Sequence, residues 1–185
     1  YSFLSGTTAM GFWVLAHECG HGAFSKNKTV ETCIGYILHS LLLVPYFSWQ
    51  RSHYIHHRFT NHISKGETHV PMVIDGDGKN EKKGGRRELN IAAILGKKQY
   101  GIIQLILHLI IGWPAYLLSG STGGLDYGIS NHFWPKKPFS DKLWLSRWGK
   151  KVWISDIGIF FTLIFLSILV FKYGMISVFA MYVGP

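Results

Sequence analysis

The run "VWISDIGIFFTLIFLSILVF" at residues 152–171 constrains the fold more than any other stretch of this chain. It carries a single charge, Asp156, near its start. About 20 apolar residues is the length at which a helix crosses the hydrocarbon of a bilayer. Lys150 and Lys151 precede the run and Lys172 follows it, so basic side chains stand where headgroups would. Residues 1–16 read as the end of another membrane helix, and residues 173–185 as the start of a third. The expected fold is therefore all-α, an integral membrane protein in one domain over residues 1–185. Composition agrees, because only 16% of residues are charged against about a quarter in soluble chains.

Charge placement refines this picture. The net charge of +9 is concentrated in two stretches, residues 75–98 and 135–151. No nucleic-acid module is present, and the basic residues flank apolar runs, which suits anionic headgroups better than a polynucleotide. Short loops rich in Lys and Arg stay on the cytoplasmic side. Both loops then share one side, and the apolar segment between them, residues 101–120, is expected to lie along the interface with Trp113 and Tyr116 as anchors. Two cysteines, Cys19 and Cys33, make no disulfide framework and fit a reducing compartment. The chain opens on Tyr1 and stops at Pro185 inside an apolar run, and both ends read as cut.

Ten histidines occur, and five fall into two tight groups. In "AHECGHGAFS", His17 and His21 are four apart, one helical turn, so their rings share a face. In "HYIHH", His53, His56 and His57 again share a face if helical. Imidazole binds zinc, iron, copper and nickel alike. A single catalytic zinc takes three protein ligands and keeps one open position, so five donors exceed its need and their number favours two ions. If both groups face one compartment, the 31 residues between them must return to the side they left. Two full crossings would take about 40 residues. A re-entrant or interfacial hairpin over residues 33–49, broken at Pro45, fits instead, provided protein covers the freed backbone groups.

These motifs resemble the first and second histidine boxes of the membrane fatty-acid desaturases. The similarity runs through "GYILHSLLLVPYFSWQRSHYIHHRFTNHISKGETHVP" at residues 35–71 and is greatest toward the oleate Δ12 group and its omega-3 relatives. "NHFWPKKPFSD" at 131–141 and "ISDIGIF" at 154–160 resemble that family's later segments, and Glu18 looks more like the Δ12 than the plant omega-3 pattern. Carried over residue by residue, the resemblance makes His17, His21, His53, His56 and His57 iron ligands. A third box is absent here and would be expected beyond Pro185, so this stretch alone would not complete a di-iron centre.

The resemblance implies two iron ions (Fe2+/Fe3+), O2 as co-substrate, and removal of two hydrogens from a fatty acyl lipid, either phospholipid or acyl-CoA. An unactivated C–H bond is beyond ordinary acid–base groups, so a metal cofactor must carry that step. The implied electron donor is cytochrome b5 with NADH-cytochrome b5 reductase, for which Lys79, Lys82, Lys83, Arg86 and Arg87 are candidate contacts, unless that loop is simply solvated. The implied location is the endoplasmic reticulum, or a plastid, with the boxes facing the cytosol. Glu18, His62 and His69 are candidates to orient the ligating rings. His39 and His108 read as structural, His132 as isolated, and Trp49, Trp113 and Trp134 as interfacial anchors. The rival readings are an intramembrane zinc protease using His17, Glu18 and His21, with "DGDG" at 75–78 offered as its third-ligand region, a hydroxylase, conjugase or acetylenase on the same scaffold, and a metal-binding protein without activity.

Overall fold

The computed structural model describes residues 1–68, 70, 94–120, 123–124, 126–145 and 147–185. Among these residues the fold is all-helical, without strands, as the apolar runs predict. α1 spans Ser2–His21, α2 Lys28–Leu41 and α3 Tyr46–Arg58. α4 is the continuous helix Lys97–Ser119 and α5 is Trp148–Tyr173. A short helix, Met175–Val178, follows and widens into a π-turn, Phe179–Val183.

Local chemistry accounts for the helix boundaries around the histidines. α1 stops at Gly22, whose φ of 80° is the left-handed conformation that glycine adopts without penalty. The Gly22 and Ala23 N–H groups close back on the Cys19 and Glu18 carbonyls. α2 starts where the Asn27 side chain accepts the Thr29 and Val30 N–H groups, a standard use of asparagine as an N-cap. Buried Glu31, one turn further on, accepts from the Phe24 and Ser25 N–H groups and from Lys28 Nζ. The loop leaving the first histidine pair is thereby tied down.

α2 and α3 meet at 105° across Leu42–Pro45. Proline ends one helix direction and starts the next, because its ring excludes a regular turn before it. The Phe47 N–H, one of the first-turn donors with no helical partner, is taken by Ser155 Oγ of α5 at 2.9 Å. At Gly35 the three N-terminal helices converge: an added Cβ would lie 2.6 Å from the Tyr46 ring and 2.7 Å from Cys19 Cβ. Behind α3, Ile55 packs with Leu143, Trp144 and Val152, which joins α3 to the 3-10 turn Lys142–Trp144 and to α5.

α5 is 26 residues long, about 39 Å at the α-helical rise, enough to cross with some tilt. α4 has 23 residues, about 34 Å, and is likewise long and apolar enough to cross. Length and apolarity thus permit a crossing as well as the interfacial position expected for residues 101–120. The helix runs through Pro114 by opening into a π-turn at His108–Gly112 just before it, where a regular turn would clash with the ring. Together, the all-helical fold and its two apolar helices of spanning length define an integral membrane protein.

Candidate metal centre

α1 delivers His17 and His21 from its last two turns, and α3 delivers His53 and His57 from its own last two. Gln50 of α3 donates through Nε2 to the Gly20 carbonyl at 3.0 Å, holding the two helix ends side by side. The four rings then converge. His17 and His21 Nε2 are 3.0 Å apart, His21 and His53 Nε2 are 3.1 Å apart, and His53 and His57 Nε2 are 3.0 Å apart. One donor atom from each ring lies within 4.8 Å of all the others.

A cation fits this arrangement. Each imidazole Nε2 offers either one proton or one lone pair, yet His21 and His53 each make two of these contacts, more than one proton or lone pair serves well and what a shared cation would satisfy. With metal–nitrogen bonds of about 2.1 Å, neighbouring nitrogens stand roughly 3.0 Å apart at right-angled positions and roughly 3.4 Å apart in a tetrahedron. The three adjacent spacings lie at the first value, and the remaining pairs lie within 4.8 Å. His17 and His53 are half-buried and His21 and His57 exposed, so the group is open on one side. The four donors suffice for one ion.

Beneath the rings lies an aromatic floor. Trp49 is 3% exposed and stacks on His53 with ring centroids 4.6 Å apart. Trp13 packs against His17 at 5.2 Å and against Trp49 at 5.7 Å. His39 is fully buried edge-on to Trp49. Trp49 is thus a wall of the site and not an interfacial anchor, whereas Trp113 and Trp134 are exposed. The sequence signal for Trp49 was its place one turn before His53.

The remaining candidates separate. His56 stands outside the four-ring group, with Nδ1 3.2 Å from the Thr68 carbonyl. Half-buried Glu18 makes no side-chain hydrogen bond among the described residues. His62 Nδ1 accepts the Ser64 and Lys65 N–H groups, so this ring builds its own turn. His69, the cationic residues at 79–87 and the "DGDG" segment lie outside the described residues. His108 is exposed on α4. His53 and His57 both join His17 and His21, which makes four histidine donors where a HExxH zinc site takes three protein ligands and keeps one position open.

One constellation was not legible in the sequence. Glu67 is 1% exposed, and its Oε2 accepts from Ser52 Oγ at 2.5 Å and lies 3.1 Å from the Tyr116 hydroxyl. The Ser52 and Tyr116 hydroxyls are also in direct contact. His132, fully buried, reaches Tyr116 through Nε2 at 3.1 Å and the Leu117 carbonyl through Nδ1 at 3.2 Å. That carbonyl can only accept, so Nδ1 carries the proton and a neutral ring accepts at Nε2. Tyr116 has one proton for both His132 and Glu67. Both contacts are hydrogen bonds only if Glu67 brings a proton of its own. Burial agrees: it pushes the Glu67 carboxyl up to about 7 against the opposing hydrogen bonds from Ser52 and Tyr116, and it pulls His132 down to about 3. No charge pattern marked Glu67, and His132 looked isolated because its partners come from other segments.

Helices of spanning length and a histidine cluster able to hold a metal ion at the ends of two helices point to a membrane protein with a metal site. The sequence profile of the family described as fatty acid desaturase matches residues 1–184, and the chain belongs to that family. It is 37% identical over 185 residues to a Delta(12) fatty acid desaturase of Calendula officinalis, covering 100% of this chain and 44% of the relative. It is 34% identical over 191 residues to a Delta(12) fatty acid desaturase of Mortierella alpina, covering 100% and 46%. An oleate hydroxylase of Claviceps purpurea is 32% identical over 177 residues, covering 86% and 35%. The chain thus spans a little under half the length of the first two relatives. No solved structure matches.

Proposed function

We propose that this chain is the part of an O2-dependent fatty acyl desaturase that carries its first two histidine boxes, inserting a cis double bond at Δ12 of an oleoyl chain to give linoleoyl. The observation that carries the reading is the convergence of His17, His21, His53 and His57 from two separate boxes onto one cation-sized group, in a member of the desaturase family. Iron is the proposed metal, because when bound it supplies the one-electron chemistry with O2 that an unactivated C–H bond requires. The family resemblance implies two ions. One would be held by the four-ring group, the second by His56 with donors from a third box.

The chain's own residues bind, orient and shield. α1 and α3 hold the rings from their C-terminal turns, and the Trp13–Trp49 floor closes the site from one side against water. Two hydrogens leave the acyl chain, and O2 becomes two waters with two further electrons and protons. Cytochrome b5, reduced through NADH-cytochrome b5 reductase, is the proposed electron donor, docking on the basic side that includes the 79–87 loop. The endoplasmic reticulum membrane, with the boxes toward the cytosol, is the proposed location, and a phospholipid or acyl-CoA carries the substrate.

The similarity to an oleate hydroxylase favours a second reading in which the same site leaves a hydroxyl group. Expression of the full-length gene product in yeast, which makes oleate but no linoleate, separates them. Fatty-acid methyl esters are profiled for wild type and His53→Ala. A new 18:2 product lost in the variant supports the desaturase. A hydroxy acid supports the second reading, and an unchanged profile with confirmed expression overturns both.

A further inference from the structure

The residues following the second box return to the back of the helix that carries it. Two consecutive groups touch α3 there: the Glu67 carboxyl at Ser52 and the Thr68 carbonyl at His56. Ser52 and His56 are four apart, so both contacts fall on one face of α3. His53 and His57, one position on in each case, face the metal group. The segment is itself anchored. The Gly124 N–H donates to the Gly66 carbonyl at 2.7 Å and the Asp126 N–H to the Ser64 carbonyl at 3.2 Å. Through Tyr116 and His132, the Glu67 carboxyl is also tied to α4 and to the loop at 130–134.

We infer that Glu67 and Thr68 form a two-point clasp that sets the rotation of α3 and the ring of His56, making Glu67 a positioning residue of the metal centre. The inference rests on the proposed metal-binding function. Its chemistry is direct. A carbonyl can only accept, so the Thr68 contact puts the His56 proton on Nδ1 and leaves Nε2 as a ligating lone pair. The Ser52 contact fixes the helix one turn earlier. An α-helix advances about 100° per residue, so a small rotation about its axis swings His53 and His57 together, and a cluster with 3.0 Å spacings tolerates little of that. The Glu67 Oε1 atom has no hydrogen-bond partner among the described residues, which leaves Oε2 as the working atom. A neutral amide with its oxygen at that place keeps the acceptor for Ser52 and gives up the donation to Tyr116, whereas a methyl group keeps neither.

The test uses the full-length protein in lipid nanodiscs, stripped of metal and titrated with Co(II), whose visible spectrum reports ligand number and geometry. Wild type, Glu67→Gln, Glu67→Ala and Ser52→Ala are compared for affinity, spectrum and release rate, with helicity and monodispersity as fold controls. The expected result is roughly a 10-fold loss of affinity in Glu67→Ala, the lower end of the range for groups bonded directly to a ligand because Glu67 acts through α3, with altered cobalt bands. Glu67→Gln keeps the wild-type spectrum. If Glu67→Ala does not fold, Ser52→Ala decides in the same way by removing one hydroxyl. Wild-type affinity and spectrum in a folded Glu67→Ala or Ser52→Ala variant would overturn the clasp. Failure of wild type itself to take up Co(II) would instead overturn the metal reading beneath it.

Discussion

Replacing Glu67 by glutamine isolates the energetic consequence of burying a carboxyl in the Ser52–Tyr116–His132 network. Burial raises this group from 4.5 in the unfolded chain to about 7 in the fold. At about 1.36 kcal/mol for each pH unit, that rise is worth about 3 kcal/mol. The sign follows from proton linkage. Below pH 4.5 both states hold the proton and the neutral acid contributes fully. As pH rises toward 7 the unfolded chain releases its proton and the folded one does not, so stability declines. His132, lowered to about 3 by burial, has the opposite slope: its contribution is complete above 6.5 and is lost as pH falls toward 3. The two slopes oppose each other between 4.5 and 6.5, so a wild-type profile alone reveals neither. The difference between wild type and Glu67→Gln removes every unchanged group. That difference, read from denaturant midpoints in one detergent, is expected to fall by about 3 kcal/mol between pH 4.5 and 7 and to be flat below. A difference that rises across this window would mean that Glu67 is ionised and paired with a cationic His132, and would refute the neutral network.

Other substitutions probe separate parts of the molecule. His62→Ala is expected to leave bound metal unchanged by elemental analysis, since that ring caps the Ser64 and Lys65 N–H groups, while the thermal midpoint drops slightly. Gly35→Val places a branched side chain where a Cβ already meets Tyr46 and Cys19, and overpacking of this kind costs about 1–3 kcal/mol, measurable as lower detergent stability. Asn27→Ala removes the cap of α2 at about 1 kcal/mol, seen as faster hydrogen exchange in the first turn of α2. Trp49→Leu, by removing the ring stacked on His53, is expected to speed metal release without changing stoichiometry.

Much of the site is readable in the sequence because helical spacing is a local rule. Two histidines four apart lie on one face whatever the tertiary fold, so spacing alone pairs His17 with His21 and His53 with His57. The pairing of α1 with α3 needs only a reversal between them, which Pro45 supplies. His56 illustrates the limit. Its spacing gives it the same face as its neighbours within a broad arc, but the Thr68 carbonyl that turns its ring is 12 residues away. His132 and Glu67 are illegible for the same reason, since each acquires meaning only from Tyr116, which comes from another segment. The interfacial expectation for residues 101–120 came from loop charge. The π-turn just before Pro114 is a separate feature of that helix, which charge does not encode.

The most direct test of the proposed metal centre is iron per chain in the full-length protein, purified from membranes under reducing conditions, for wild type and His21→Ala. His21 Nε2 lies within 3.1 Å of both His17 and His53, joining the two boxes. The expected result is two irons per wild-type chain and a loss of iron in the variant with the helical fold retained. One zinc per chain, or an iron content indifferent to His21, would contradict it.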